Sequence, residues 1–199
     1  MHKRVLFLTL KVFSATGGIE RVCCMAAKAM YEMTFEQPVS LKVFSMYDKS
    51  PDADDNKYFP SEMFRGFGVN KIKFIRASVF AGSKSDIVIL SHINLLLAGW
   101  LIKKVSPGVR LILFAHGIEV WKPLKKYIRV MLNSCDTIIS VSNYTRAKIK
   151  EVHQYPSEKC MVLNNCIDPF LPLPSQGSGQ DSLLKKYSLN KTDKILFTL

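Results

Sequence analysis

The most constraining feature of this sequence is the repeated alternation of short apolar runs with longer amphipathic segments. One apolar run, Leu111–Ala115, stops at His116, Gly117 and Glu119, and a basic amphipathic segment begins at Trp121. Short runs that are apolar throughout are typical of strands buried on both faces of a parallel sheet. Such strands in alternation with helices predict an α/β fold, a Rossmann-like doubly wound parallel sheet.

The pattern predicts seven strands and four main helices. The helices are expected from Ile19 to Met33, from Asn94 to Lys104, from Trp121 to Asn133, and after Ser142. Residues 47–70 are polar and rich in Asp and Pro, so they are expected to form a long surface loop. The strands are expected at Val5–Leu10, Val39–Met46, Lys71–Ile75, Asp86–Ser91, Leu111–Ala115, Asp136–Val141 and Cys160–Leu163.

The composition changes near residue 170, which predicts a domain boundary. Residues 1–170 are expected to form one domain, and residues 171–182 have the Pro, Gly and Ser content of a linker. Residues 183–199 are expected to begin a second domain with a short helix, Leu183–Tyr187, and a strand, Lys194–Leu199. Because the sequence stops within that predicted strand, we expect further chain to complete the second domain.

The overall composition excludes several classes of protein. Hydrophobic residues make up 48% of the 199 residues, which argues against disorder, and no apolar run approaches the roughly 18 residues that a membrane span requires. The five cysteines have no zinc-site or disulfide spacing, so we expect a reduced cytoplasmic protein without a metal or cofactor. The net charge of +12 indicates an anionic partner: nucleic acid, acidic lipid headgroups or a phosphorylated small molecule.

Polar residues or glycines follow five of the predicted strands. Because parallel sheets bind ligands at the carboxyl ends of their strands, these residues are candidates for one site. The glycine pair, between a strand and a helix, also has the geometry of an anion site, although neither a G-x-G-x-x-G nor a P-loop motif is present. Each candidate also has an ordinary interpretation as a turn, loop or capping residue. The candidates are Gly17, Gly18, His92, His116, Ser142, Asn143 and Asn165.

At these residues the chain resembles the retaining glycosyltransferases of family 4, which have the GT-B fold. Matching segments are Thr16-Gly17-Gly18-Ile19-Glu20-Arg21, Ala115-His116-Gly117, and Ser140-Val141-Ser142-Asn143-Tyr144-Thr145. A fourth, Asn165-Cys166-Ile167-Asp168, departs from the commoner Asn-Gly-Val-Asp pattern. Each motif is short, but their order and spacing extend over nearly the whole chain.

The resemblance implies a function and roles for the candidate residues. The family moves a sugar from a nucleotide-sugar donor to an acceptor, and the N-terminal half of the GT-B fold mainly binds the acceptor. By resemblance, His116 contacts the transferred sugar as the catalytic residue, and backbone N–H groups at Gly17 and Gly18 face the donor phosphates. His92, Glu119, Ser142, Asn143 and Asn165 are expected at the acceptor or in the cleft.

The resemblance also implies that this chain is incomplete as an enzyme. The family's donor-side Arg and Lys and its E-x7-E carboxylates belong to the second domain. These 199 residues alone are therefore expected to have negligible transferase activity. The expected product class is a polysaccharide or glycoconjugate, made from a glycan or a lipid-linked acceptor.

A basic stripe follows His116 and has two interpretations. It is either a solvated helix face or an attachment surface for an anionic membrane, which would place the protein peripherally at the inner face of the membrane. The stripe consists of Lys122, Lys125, Lys126 and Arg129. A basic nucleic-acid-binding module is a rival function, but aromatic residues interleaved with Lys and Arg on one stacking surface are not evident. Another nucleotide-dependent enzyme is a second rival, which the missing G-x-G-x-x-G disfavours.

Overall fold

The computed structural model describes residues 2–171, 184–190 and 193. The chain divides into two compact units, Met1–Cys166 and Ile167–Leu199. The first unit contains all of the strands and long helices described below.

The first unit is built on one sheet of seven parallel strands, which confirms the predicted fold class. The strands lie in the order β3-β2-β1-β4-β5-β6-β7. Every neighbouring pair is parallel, as in the pairing of Val5 with both Leu41 of β2 and Ile87 of β4. The bounds are β1 Lys3–Thr9, β2 Val39–Ser45, β3 Phe64–Gly66, β4 Ile87–Leu90, β5 Arg110–Ala115, β6 Thr137–Ser140 and β7 Cys160–Val162.

Five α-helices connect these strands and cover the sheet on its two faces. Their bounds are α1 Gly18–Glu36, α2 Lys71–Gly82, α3 Leu96–Val105, α4 Lys126–Leu132 and α5 Asn143–His153. Successive side chains of a strand point to opposite faces. Leu6 and Leu8 of β1 accordingly pack in one hydrophobic cluster with α2, α3 and α4, whereas Phe7 packs in a second cluster with α1.

The predicted third strand was wrong. Lys71–Ile75 begins α2, and Asn70 caps that helix by accepting a hydrogen bond from the Lys73 backbone N–H at 3.0 Å. The third strand is instead β3, which lies inside the segment that was expected to be a loop. It pairs with β2 over only three residues, too few to show a period of two in the sequence.

Two helix starts also differ from the predictions. The helix expected from Trp121 begins at Lys126, because a short 3-10 turn, Ile118–Val120, and Pro123 precede it. Lys122 and Lys125 of the basic stripe therefore lie before α4, and only Lys126 and Arg129 lie on it; all four are exposed. Asn94 does not cap α3, which begins at Leu96 without a side-chain cap. It lies in a short 3-10 helix, Ile93–Leu95, which His92 caps by accepting a hydrogen bond from the Asn94 backbone N–H.

The second unit is described only in part. Residues 184–186 are helical, within the segment that was predicted to form a short helix. The predicted linker, apart from Leu171, and the predicted strand Lys194–Leu199 lie outside the described residues. Among the residues that the structure describes, no helix is both long enough and apolar enough to span a membrane.

Candidate active site at the carboxyl edge of the sheet

The strand order creates a crevice between β1 and β4. The helix that follows β1 packs on one face of the sheet, and the helix that follows β4 packs on the other. Where neighbouring strands send their chains in opposite directions in this way, their carboxyl ends leave an opening that commonly binds ligands. Gly17 and Gly18 follow β1 and His92 follows β4, so three predicted site residues border this crevice.

The glycine pair forms the start of α1. Gly17 is the N-cap in an extended conformation, and no side chain caps the helix. The first backbone N–H groups of a helix have no partner within it, so this end attracts anions. A Cβ atom on Gly18 would meet open space, whereas one on Gly17 would overlap the carboxylate of Glu20. The helix therefore presents its N-terminus to the crevice with a negative charge of its own chain beside it.

A buried carboxylate holds the loop between β1 and α1. Asp48, which follows β2 and is fully buried, accepts hydrogen bonds from the backbone N–H groups of Val12 at 2.7 Å and Ser14 at 2.8 Å. The hydroxyl of Ser45 donates a third, at 2.6 Å. Hydrogen bonds to a charged acceptor are stronger than neutral ones. Asp48 therefore fixes the path of the chain into the glycine pair.

His116 is held beside the crevice by its imidazole ring. Its Nε2 lies 2.7 Å from the carbonyl oxygen of Ser91, at the end of β4. A carbonyl oxygen can only accept, so Nε2 carries a proton and donates it. In the neutral ring the lone pair then lies on Nδ1. This atom is the one with which His116 can accept a hydrogen bond from a ligand hydroxyl.

The turn after His116 is fixed by groups from within it and from α5. The carboxylate of Glu119 accepts a hydrogen bond from the His116 backbone N–H at 2.6 Å. Gly117 has φ +151°, and a Cβ atom there would lie 3.1 Å from the Trp121 ring. The Trp121 indole N–H donates to the Thr145 hydroxyl of α5 at 3.4 Å. The turn therefore requires glycine at 117 and holds the backbone of His116 in place.

His92 shares an electrostatic environment with three other ionisable groups. Burial, together with the nearby His116, lowers the pKa of His92 below its ordinary value of 6.5, while Glu119 and Glu20 oppose that shift. Nδ1 of the neutral ring accepts a hydrogen bond from the Asn94 backbone N–H at 3.1 Å. Glu119, His116 and Glu20 thus lie near enough to His92 to influence its charge, and side chains of these types can hydrogen-bond sugar hydroxyls.

An apolar groove adjoins this polar cluster. It has a volume of about 700 Å³ and is lined mostly by apolar side chains from α2, α3, α4 and the ends of β1 and β2. Its charged or polar lining residues are Lys71, His92, Asn94 and Glu119, together with Tyr47 and Tyr127. A mainly apolar cavity with a few converging polar groups is the usual form of a small-molecule site, and this volume lies in the usual range.

The remaining predicted residues lie elsewhere along the edge. Ser142 is the N-cap of α5, and its hydroxyl accepts the Thr145 backbone N–H at 3.1 Å. Asn143 lines a separate cavity of about 300 Å³ with Arg146 and Lys150. Asn165 is exposed beyond β7. The structure therefore brings Gly17, Gly18, His92, His116 and Glu119 to the crevice and gives the other three no described contact with it.

Two residues of the site, Asp48 and Ser91, were not singled out from the sequence. Asp48 acts here through its burial and Ser91 through its backbone carbonyl, and neither property has a signature in a single sequence. Cys23 lies in the cluster under the crevice, and burial raises the pKa of its thiol to about 12, so it is not a thiolate nucleophile. Among the described residues, no group of three or more His, Cys, Asp or Glu side chains is placed to hold a metal ion.

The family model of glycosyltransferase family 4 matches residues 16–170, so the chain belongs to that family. The matched segment includes both glycines, both crevice histidines and Glu119. The match gives the rival nucleic-acid-binding function no support. No curated protein sequence matches the chain significantly.

Several solved structures share the fold. A structure of Anabaena Alr3699/HepE in complex with UDP-glucose has a TM-score of 0.65 at 15% identity and covers 94% of this chain. A glycosyltransferase from Rickettsia africae ESF-5 has a TM-score of 0.59 at 13% identity and covers 96%. The UDP-GlcNAc 2-epimerase of Neisseria meningitidis, bound to UDP-GlcNAc, reaches 0.51 at 12% identity over 80%. The chain spans about half the length of these proteins, 50%, 51% and 45% respectively.

Proposed function

We propose that this chain is the acceptor-binding half of a retaining glycosyltransferase that moves a sugar from a nucleotide-sugar to a glycan or lipid-linked acceptor. The observation that carries the proposal is the crevice, where His116, His92 and Glu119 converge beside a groove of about 700 Å³. Membership of glycosyltransferase family 4 supports it. Because the Anabaena neighbour was solved with UDP-glucose, UDP-sugars are the first donors to test on the full-length protein.

His116 has the catalytic role in this proposal. Its Nε2 proton is engaged by Ser91, so Nδ1 accepts a hydrogen bond from the transferred sugar. Replacing His116 with Ala is expected to lower kcat by about 100-fold, the usual effect of removing one preorganised polar contact to a reacting group. His2→Ala, an exposed histidine before β1, is the matched control. Equal rates for the two variants would remove His116 from the mechanism.

The glycine pair has the donor-phosphate role. The open N-terminus of α1 suits a phosphate, but the Glu20 carboxylate lies beside Gly17 and would repel it. Glu20→Gln is therefore expected to lower KM for the donor by about two- to fivefold, the size of a charge effect at a helix end. A raised KM would show that Glu20 assists donor binding and would contradict this arrangement.

Turnover is proposed to need the second domain, which supplies most donor contacts in this family. The 199 residues alone should release no nucleotide from a UDP-sugar above the rate without protein. Steady turnover by this chain by itself would contradict the division of roles.

The basic stripe supports peripheral attachment to an anionic membrane. Its four side chains are exposed, and each basic residue near an anionic surface contributes about 1 kcal/mol. Binding to vesicles with phosphatidylserine should therefore weaken as salt rises, and it should be absent with neutral vesicles. Attachment would suit a role in polysaccharide or glycoconjugate biosynthesis, where acceptors are often carried by lipids. Equal binding to neutral vesicles would remove the electrostatic argument.

A further inference from the structure

Three neighbouring helices of this protein carry basic residues and no acidic ones. The segments α2, α3 and α4 together contain seven Lys or Arg residues and no Asp or Glu. In contrast, α1 contains Glu20, Glu32 and Glu36, and α5 contains Glu151. All three acid-free helices pack on the same face of the sheet. The part of this side formed by α2, α3 and α4, the acid-free layer, is therefore complementary to an anionic surface beyond the basic stripe. It does not extend over α5, which packs against the same cluster through Ile149.

The acid-free layer also exposes large apolar side chains. Six of them are between 45% and 74% exposed, two on each helix. A single exposed apolar residue is ordinary, but a set of them among basic residues only is typical of a surface that lies on lipid headgroups. The six are Ile72, Phe80, Leu97, Val105, Tyr127 and Val130.

The apolar groove of the candidate active site opens between these same helices. Its walls include Ile75 from α2, Leu97 from α3 and Tyr127 from α4, and its polar lining groups are His92 and Glu119 among the crevice residues. Two of the exposed apolar side chains of the layer, Leu97 and Tyr127, are thus also walls of the groove. The groove is therefore continuous with the surface that suits a membrane and reaches His92 and Glu119 of the crevice.

We propose that the acceptor is a lipid whose hydrocarbon chain lies in this groove, with the hydroxyl head that receives the sugar at His92 and Glu119. The acid-free layer rests on the bilayer that carries this lipid. The inference rests on the proposed function, because an acceptor at this place presupposes a transferase. It replaces the open choice between a glycan and a lipid-linked acceptor with one class, an amphiphile with an apolar chain.

The first test measures how binding depends on chain length. Methyl, butyl, hexyl and octyl glucosides, each below its micelle concentration, are titrated into the full-length protein by calorimetry. Each methylene that enters the groove is expected to tighten binding by up to about fourfold, which corresponds to about 0.8 kcal/mol. An affinity that is the same for all four glucosides would overturn the inference.

The second test places the chain in the groove with a matched pair of variants. Leu97 and Val105 are both exposed apolar residues of α3, but only Leu97 lines the groove. Leu97→Asp is expected to weaken the binding of octyl glucoside at least tenfold, with little effect on the binding of methyl glucoside. Val105→Asp is expected to leave both affinities unchanged. Tyr127→Asp, at the exposed groove wall on α4, gives the same reading if Leu97→Asp fails to fold. Equal effects at 97 and 105 would overturn the assignment.

The outcomes separate this inference from the function on which it rests. In one outcome, binding depends on the alkyl chain length, this dependence is lost in Leu97→Asp, and no nucleotide-sugar supports sugar transfer. That outcome would overturn the transferase function and leave a lipid-binding groove. Sugar transfer to glycans, without dependence on an alkyl chain, would keep the transferase and overturn the lipid acceptor. Transfer that is faster to octyl than to methyl glucoside, and selectively impaired by Leu97→Asp, supports both.

Discussion

The two turns that border the crevice are held in different ways. The loop after β1 depends on Asp48, which lies 36 residues from Val12 and 34 from Ser14 in the sequence. The turn after β5 is held mainly from within, because Glu119 accepts the N–H of His116 only three residues away. The glycine pair is thus positioned by the tertiary structure, whereas the backbone of His116 is held by its own turn and only its ring by a distant residue, Ser91. Substitutions in each turn can test whether it is held by distant residues or by its own.

The largest loss of stability is expected from a substitution of Asp48. Asp48→Ala leaves two backbone N–H groups and the Ser45 hydroxyl without their buried acceptor, so the free energy of unfolding should fall by about 4 kcal/mol. Urea denaturation measures this change. Asp55→Ala, an exposed carboxylate of the following loop, should stay within about 0.5 kcal/mol of the parent protein. A stable Asp48→Ala protein would mean that the first turn is also self-supporting.

The second turn should be broken most directly at Gly117. Gly117→Ala forces a side chain into a backbone conformation at φ +151°, with a contact of 3.1 Å to Trp121, and should cost about 2 kcal/mol. Gly108→Ala is the control, because an added Cβ atom there meets no other atom within 4 Å. If both variants were equally stable, the conformation at 117 would not constrain the turn.

A smaller effect is expected at Ser142, which lies outside the crevice. Ser142→Ala removes the cap of α5 and should lower the free energy of unfolding by about 1 kcal/mol. Donor and acceptor kinetics of the full-length protein should remain unchanged, because Ser142 has no described contact with the crevice. A kinetic effect with unchanged stability would instead give Ser142 the site role that the sequence predicted.

The smallest effect concerns the pH dependence of stability through His92. Its pKa in the folded protein lies below 6.5, so the unfolded chain binds a proton at higher pH than the folded one. The contribution of the neutral His92 ring to stability is present above pH 6.5. It is lost as the pH falls from 6.5 toward the lower pKa of His92 in the folded protein. Unfolding free energies measured from pH 7.5 to 5.0 should decrease less in His92→Gln. Identical pH profiles would contradict the lowered pKa.

The sequence predicted the sheet better than the details of its edges. The strands β1, β4, β5 and β6 have apolar residues at their centres, which made them recognisable and placed the crevice residues near their ends. The strand prediction for Lys71–Ile75 failed because alternating charged and apolar residues fit a strand. With Asn70 as the cap, these residues instead form the first turns of α2. β3 was missed because pairing with β2, not its own sequence, makes it a strand.

The candidate site was predictable only where residues lie at strand ends. Gly17, Gly18, His92 and His116 were predicted in this way, whereas Glu119 was predicted from the family resemblance. The same rule also selected Ser142, Asn143 and Asn165, which have no described contact with the crevice. Asp48 was missed because it follows a strand as an ordinary loop residue would, and its importance comes from complete burial beside two N–H groups distant in sequence. The apolar groove was equally hidden, because its walls come from three helices and two strands.

The hydrogen bonds of Asp48 have a consequence for motion. Amide protons in a surface loop usually exchange with water within seconds, but those of Val12 and Ser14 are held by a buried carboxylate. They should exchange as slowly as amides of the sheet, as part of the same cooperative unit. The loop that leads to the glycine pair then cannot act as an independent hinge. Any opening of it releases Asp48 and, with it, the carboxyl end of β2.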